Sequence, residues 1–258
     1  MPDLANLEYT IGAVNRRSAI RGFLEQFAKV ARALVLDALR ISDRTKWKKY
    51  KFPEEWALRS QRIAEIVPHD SHVFEFGAGP CGLRQYLHPS CSLTSSDIVK
   101  HSPDIKIIDL NRRPLPLLGE PESQVGVFAG VLEYVSDVHS LLPWIANHFE
   151  TCIASYECAQ PKPGILGGIR ESLGRACMGW VNHFTEQQFK ALFAAVGFQL
   201  AKQVTWGDHD PGEIFSFERR RGANMRTTHH SLEEFKLKAE TAYDLQASAN
   251  ASQRSPSS

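Results

Sequence analysis

Apolar and polar positions follow two different rhythms along this chain, and the change falls near residue 72. Over residues 15–40, Ile20, Phe23, Leu24, Phe27, Ala31, Leu34, Val35 and Ala38 recur at spacings of three and four, the period of a helix. Arg16, Arg17, Arg21, Lys29 and Arg32 take much of the remaining face. The pattern predicts a basic amphipathic helix. Packing on its own domain is the simpler expectation, and contact with a membrane surface or a partner is the other. The polar and aromatic stretch DRTKWKKYKFPEEW reads as a connecting loop. Pro53 then opens a second helix, with Glu54 and Glu55 in its first turn and Trp56, Leu58, Ile63, Ala64 and Ile66 as its apolar positions.

From residue 72 short apolar runs take over, at 72–76, 91–95, 105–108, 125–129, 151–156, 198–205 and 213–219. Helix-like stretches at 82–88, 138–149 and 186–196 lie between them. Strands alternating with helices predict a mainly parallel sheet wrapped by helices. Only WGDHDPG separates the last two runs, which is hairpin spacing, so that pair is expected to be antiparallel. Beyond Arg221 the order is lost. RGANMRTTHHSLEEF is expected to hold a short helix, and ASANASQRSPSS, small and polar, to be disordered. The expected division is an N-terminal helical extension over 1–50, an α/β domain over 51–221, and a short helix with a disordered tail over 222–258.

Composition narrows the function classes. With 258 residues and 43% hydrophobic side chains, the chain can bury a sizeable core. Thirty basic and 29 acidic side chains leave a net charge of +1, which argues against a long nucleic-acid footprint, although WKKYK and FERRRGANMR are locally basic. Cys81, Cys91, Cys152, Cys158 and Cys177 are odd in number and form no Cys-x-x-Cys pair. Free thiols in a reducing compartment are expected, with no metal site. MPDLANLEYT carries no basic region followed by an apolar core, and no apolar run approaches membrane-spanning length. A cytoplasmic protein without a transmembrane segment is expected, its oligomeric state open.

The first strand runs into Phe74-Glu75-Phe76-Gly77-Ala78-Gly79-Pro80-Cys81-Gly82. Glycines at such a corner let the backbone turn sharply and approach a ligand closely. Gly77-x-Gly79-x-x-Gly82 also fits the dinucleotide fingerprint. Pro80 argues against a pyrophosphate there, because it has no amide to donate. Glu75, two residues before the first glycine, suits a ligand with an amino-acid end better than one with two phosphates.

This segment resembles the first motif of the class I S-adenosylmethionine-dependent methyltransferases, with Cys81 in the third glycine position and Gly82 one later. Further segments resemble the family in the same order. CSLTSSDIV ends in Asp97, 18 residues after Gly79. IKIIDLNRRPLPLL carries Asp109 and Leu110, and VGVFAGVLEYVSDVHSLL resembles the family's fourth-strand segment, with Tyr134 where His is frequent. HFTEQQFKALFAAVGFQL, with a capping box at Thr185 and Gln188, and IFSFERR resemble its last helix and last strand. The resemblance covers about residues 55–221. It implies a Rossmann-like three-layer sandwich, with a seven-stranded, mostly parallel sheet and an antiparallel last strand. It also implies S-adenosylmethionine as cofactor, held by Glu75, Gly77, Ala78, Gly79, Asp97, Ile98, Asp109, Leu110, Ala129 and Gly130. Asp97 would accept the ribose hydroxyls, Asp109 and Leu110 would flank the adenine, and Ala129 and Gly130 would lie beside the methionine part.

The acceptor of the methyl group is expected at the carboxyl ends of the strands. The segment from 155 to 184 is long for a connection, so it is a candidate lid or acceptor loop. It supplies His183, Trp180 and Glu157 as candidates, with His183 either a base or a packing residue. Tyr134 and His139, after the fourth strand, are the other catalytic candidates. Glu133 reads as structural, and Cys81 as a small buried thiol rather than a nucleophile. The leading expectation is a methyltransferase acting on a small-molecule or glycan-type acceptor. A non-catalytic cofactor-binding regulator of the same fold is the alternative, and a nicotinamide-dependent oxidoreductase a weaker one.

Overall fold

In the computed structural model of the chain, residues 21, 22, 24–118, 124–160, 165–207 and 212–220 are described. The start of the amphipathic helix and the tail expected over 222–258 lie outside the described residues. Five strands run parallel through the middle of the fold: β1 (His72–Phe76), β2 (Ser92–Asp97), β3 (Lys106–Ile107), β4 (Gln124–Ala129) and β5 (Thr151–Tyr156). β6 (Phe198–Trp206) and β7 (Gly212–Arg219) form the expected antiparallel pair. The seven-stranded order is β3-β2-β1-β4-β5-β7-β6, so β7 inserts antiparallel between β5 and β6. This is the α/β, Rossmann-like arrangement that the family resemblance implies, with the mainly parallel sheet expected from the sequence rhythm. Its edges are blunted by a two-residue β3 and by a polar, bulged β6.

The period-2 alternation sorts the strand side chains onto two faces. Phe76, Phe128, Cys152, Ala154, Tyr156, Phe215 and Phe217 go to one face. There they pack under α4 (Val138–His148) and α6 (Glu186–Ala195). The aromatic rings stack in ladders: Phe76 lies 4.7 Å from Phe128, and Phe193 4.0 Å from Phe217. Val73, Val125, Val127, Ile153 and Ile214 go to the other face, against Ile63 of α3 (Trp56–Ala64) and Leu83. Bulky rings therefore thicken one layer, and β-branched residues thin the other. The helix starts follow local chemistry. The Asp137 carboxylate accepts from Ser140 N at 3.0 Å, and Thr185 and Gln188 close the expected capping box.

Four expectations are corrected. The stretch 82–88 is only a 3₁₀ turn, Gly82–Gln85, because Cys81 before it adopts left-handed φ and α3 already covers that face. The loop over 43–56 contains a helix, α2 (Arg44–Lys49), nucleated by the Asp43 side chain accepting from Lys46 N. The connection after β5 carries α5 (Ile165–Met178). The amphipathic helix, α1 (24–38), does not bury its apolar stripe: Leu24, Phe27, Leu34 and Val35 are exposed, and Ala33 is buried. Its opposite face turns inward because Arg32 reaches Asp43 with two hydrogen bonds of 2.7 Å, anchoring α1 to the start of α2. That bond also holds the Asp43 carboxyl below its ordinary range.

Candidate functional site

Strand order reverses between β1 and β4, with β2 and β3 on one side and β5 on the other. Open sheets of this kind bind ligands in the crevice beyond the carboxyl ends at such a switch point. A cavity of about 560 Å³ lies there. Its floor is made by Gly77 after β1, Asp97 and Ile98 at the end of β2, Leu110 after β3, and Ala129 and Gly130 after β4. Its roof comes from α1, α2 and the segment 176–181 at the end of α5. The volume falls in the range of small-molecule sites.

The glycine corner is shaped by close approach. Gly77 has φ of +65°, and a Cβ there would collide with the Val131 side chain. Gly79 has φ of +50°, and its Cβ would lie 2.7 Å from Cε1 of Phe52. The corner is tied to β2 by Asp97, whose Oδ2 accepts from Gly79 N and Oδ1 from Val99 N, each at 2.9 Å. Ala78 N donates to Ser96 O at 3.0 Å. Cys81 occupies the third position with φ of +61°, and burial pushes its thiol up, away from nucleophilic chemistry.

The expected cofactor residues separate into two groups. Gly77, Asp97, Ile98, Leu110, Ala129 and Gly130 line the cavity. Glu75, Ala78, Gly79 and Asp109 stand behind its wall. Glu75 lies beneath the corner, with Oε2 accepting from Ser95 Oγ at 3.1 Å, and burial raises its carboxyl to about 7. The Asp109 carboxylate turns to the N-terminal segment instead, accepting from Ser42 Oγ at 2.6 Å and from Asn111 N at 3.1 Å.

The catalytic candidates separate as well. Tyr134 lines the cavity, and its hydroxyl accepts from the Trp180 indole at 3.0 Å. Burial holds the phenol well above its ordinary range, with Glu133 adding to the effect. His183 is exposed and stands outside the cavity wall. Arg175 Nε donates to its Nδ1 at 3.1 Å, and the partial shielding of the ring from water and the Arg175 charge both depress its pKa. His139 also stands outside the wall, its ring 6.1 Å from that of Phe184. Glu133 is buried, with Oε1 accepting from Glu157 N at 2.9 Å, and burial raises its carboxyl.

Several lining residues were not assigned to a site from the sequence, because most of their segment looked like a linker and Trp56 read only as an apolar helix position. Trp47, Tyr50, Phe52 and Trp56 wall the cavity from α2 onward. Trp47 meets Tyr134 edge-on, with ring centres 5.0 Å apart. The Lys46 ammonium sits 4.8 Å from both ring centres and donates to Met178 O. Asn111 joins the pieces: Nδ2 donates to Ser42 Oγ and to Tyr134 O, and Oδ1 accepts from Ser136 N. Only the density of aromatics in WKKYKFPEEW hinted at this wall.

The strand order and the switch-point cavity define a Rossmann-like α/β fold. No protein-family model matches the sequence, and no curated protein does. Solved structures do resemble it in fold. One is the mitomycin 7-O-methyltransferase MmcR, at 16% identity and TM-score 0.45, over 64% of this chain and 54% of that one. This chain thus spans about half the length of that enzyme. Another is a Burkholderia thailandensis 1,6-didemethyltoxoflavin-N1-methyltransferase with bound S-adenosylhomocysteine, at 15% identity, TM-score 0.48, and coverage of 64% and 79%. A third is magnesium protoporphyrin IX methyltransferase from Synechocystis PCC 6803, at 15% identity, TM-score 0.45, and coverage of 69% and 92%.

Proposed function

We propose that this protein is an S-adenosylmethionine-dependent methyltransferase acting on a small-molecule or glycan-type acceptor. One observation carries the reading. At the switch-point cavity, a glycine corner free of side chains is pinned to a carboxylate at the end of the neighbouring strand, through the Gly79 amide and Asp97. Each Asp97 oxygen receives one backbone amide and keeps acceptor capacity for a ribose hydroxyl. Ile98 and Leu110 supply apolar surface for a purine beside it. Ala129 and Gly130 line the cavity after β4, beside Gly77, where a thioether chain would lie.

When bound, the cofactor supplies an electrophilic methyl group on sulfur. The chain's own part is to orient an acceptor and keep water out. Trp47, Tyr50 and Phe52 offer flat faces on which an acceptor ring can stack. Tyr134, kept neutral by burial and already accepting from Trp180, has its own proton to donate to an acceptor oxygen or nitrogen. It therefore acts as an orienting donor and not as a base.

Titration calorimetry with S-adenosylhomocysteine tests the reading. Binding in the micromolar range is expected, with no heat from NAD. Heat with NAD and none with S-adenosylhomocysteine would overturn it in favour of an oxidoreductase.

A further inference from the structure

The apolar stripe of α1 faces away from the fold. Leu24, Phe27, Leu34 and Val35 fall within about a third of the helix circumference, and Leu39 and Ile41 follow just beyond the helix end. Each of these six side chains is more than half exposed. The side that turns inward carries Lys29, Arg32 and Asp37, which line the cavity beside Ala33. A helix that packs only on its own domain does the reverse and buries its apolar side. The stripe therefore belongs to a contact that the described residues do not make. On α5, Ile169, Leu173 and Met178 are about half exposed as well, and Met178 joins α1 in the roof of the cavity.

Charge narrows what covers the stripe. From Arg21 to Lys51 the chain has nine basic and three acidic side chains, whereas the whole chain has 30 and 29, so the positive surplus is concentrated in α1, α2 and their junction. Lys29 on α1, Lys48 and Lys49 on α2, and Lys51 just after it are exposed, and none of the described ion pairs includes them. A second copy of this chain is a poor match, because a two-fold contact through α1 sets two basic surfaces against each other. A surface of anionic phospholipid matches both features. Its headgroup phosphates attract the lysines, and the start of its acyl layer takes the apolar side chains. No described helix is long and apolar enough to cross a membrane, so the contact is with the interface.

We propose that α1 lies in the interface of an anionic phospholipid bilayer, its apolar stripe toward the acyl chains and the exposed lysines of α1 and α2 among the headgroups. The proposal stands apart from the methyltransferase reading. In this pose the roof of the cavity lies against the lipid.

Co-sedimentation of the full chain with vesicles tests this, using phosphatidylcholine alone and phosphatidylcholine mixed in equal parts with phosphatidylglycerol. Binding to the mixed vesicles is expected, with little to phosphatidylcholine alone, and high salt is expected to weaken it. A double variant, Phe27→Ser with Leu34→Ser, is expected to bind the mixed vesicles about 100-fold more weakly or worse, since two large apolar side chains no longer enter the acyl layer. A second double variant, Lys48→Gln with Lys51→Gln, is expected to lose about 30-fold, about fivefold for each lysine. All four positions are exposed, so the Tm of both variants is expected to match wild type; if the first does not fold, the lysine variant decides. No binding of wild type to the mixed vesicles at low salt would overturn the proposal, and so would equal binding by wild type and both variants. A dimer in sedimentation velocity that the first variant makes monomeric, without vesicle binding, would assign the stripe to a second copy instead. A monomer that ignores vesicles would leave a protein with an acidic, apolar groove as the occupant, and the bilayer reading would fall.

Discussion

Replacing Glu75 with Gln is expected to make the protein more stable at alkaline pH, and the size of the effect follows from its surroundings. Glu75 is 4% exposed on β1, and one neutral hydroxyl, Ser95 Oγ, donates to Oε2. Burial raises its carboxyl from an ordinary 4.5 to about 7; the Ser95 bond and the charges of Arg59 and Arg84 oppose the rise, and the Asp97 charge adds to it. Between those two values the unfolded chain has released a proton that the folded protein still holds. The stability that comes from holding it is complete below pH 4.5 and is lost as pH climbs to about 7. The full loss is about 3 kcal/mol. Gln keeps the shape and an oxygen for Ser95 but does not titrate, so Glu75→Gln escapes that loss. Urea unfolding of both proteins at pH 5 and pH 8 gives the difference directly. The two are expected to lie within about 1 kcal/mol of each other at pH 5, and the variant to gain about 2–3 kcal/mol over wild type at pH 8. Other titrating groups cancel in the comparison. An identical pH dependence in the two proteins would show that the carboxyl ionises as readily folded as unfolded.

Two further expectations concern the residues around the cavity. Asp97→Asn leaves one of the Gly79 and Val99 amides without an acceptor, so the variant is expected to lose about 1–3 kcal/mol of stability, several degrees in Tm, and to bind S-adenosylhomocysteine about 5- to 150-fold more weakly. Calorimetry that finds both unchanged would remove Asp97 from the corner and from the ribose. His183→Ala is expected to leave turnover close to wild type once an acceptor is found, since its Nδ1 is taken by Arg175 and it stands outside the cavity; a loss of about a hundredfold would restore it as the base.

Much of the α/β core was legible because each strand is a short run whose alternation has one solution. FEF before the glycine corner, VGVFA and CIASY could only be central strands, and all three are. The capping box at Thr185 and Gln188 was legible because it is a contact between near neighbours. WKKYKFPEEW was not. Trp47, Tyr50, Phe52 and Trp56 pack against one another and across the cavity, so no fixed spacing along the chain reports their burial. Asp109 was assigned to the cavity by resemblance of its segment to the family, yet its carboxylate turns to Ser42, which is 67 residues away in sequence.

By itself, then, the sequence determined the strand order of appearance, the glycine corner and the carboxylate 18 residues beyond it, because hydrophobic rhythm and turn chemistry act between near neighbours. The tertiary structure alone decided which groups share the cavity. It put Tyr134 in and His183 out, and closed the roof with α1 and α2. Burial and charge compensation depend on residues far apart in the chain, and only the folded sheet brings them together.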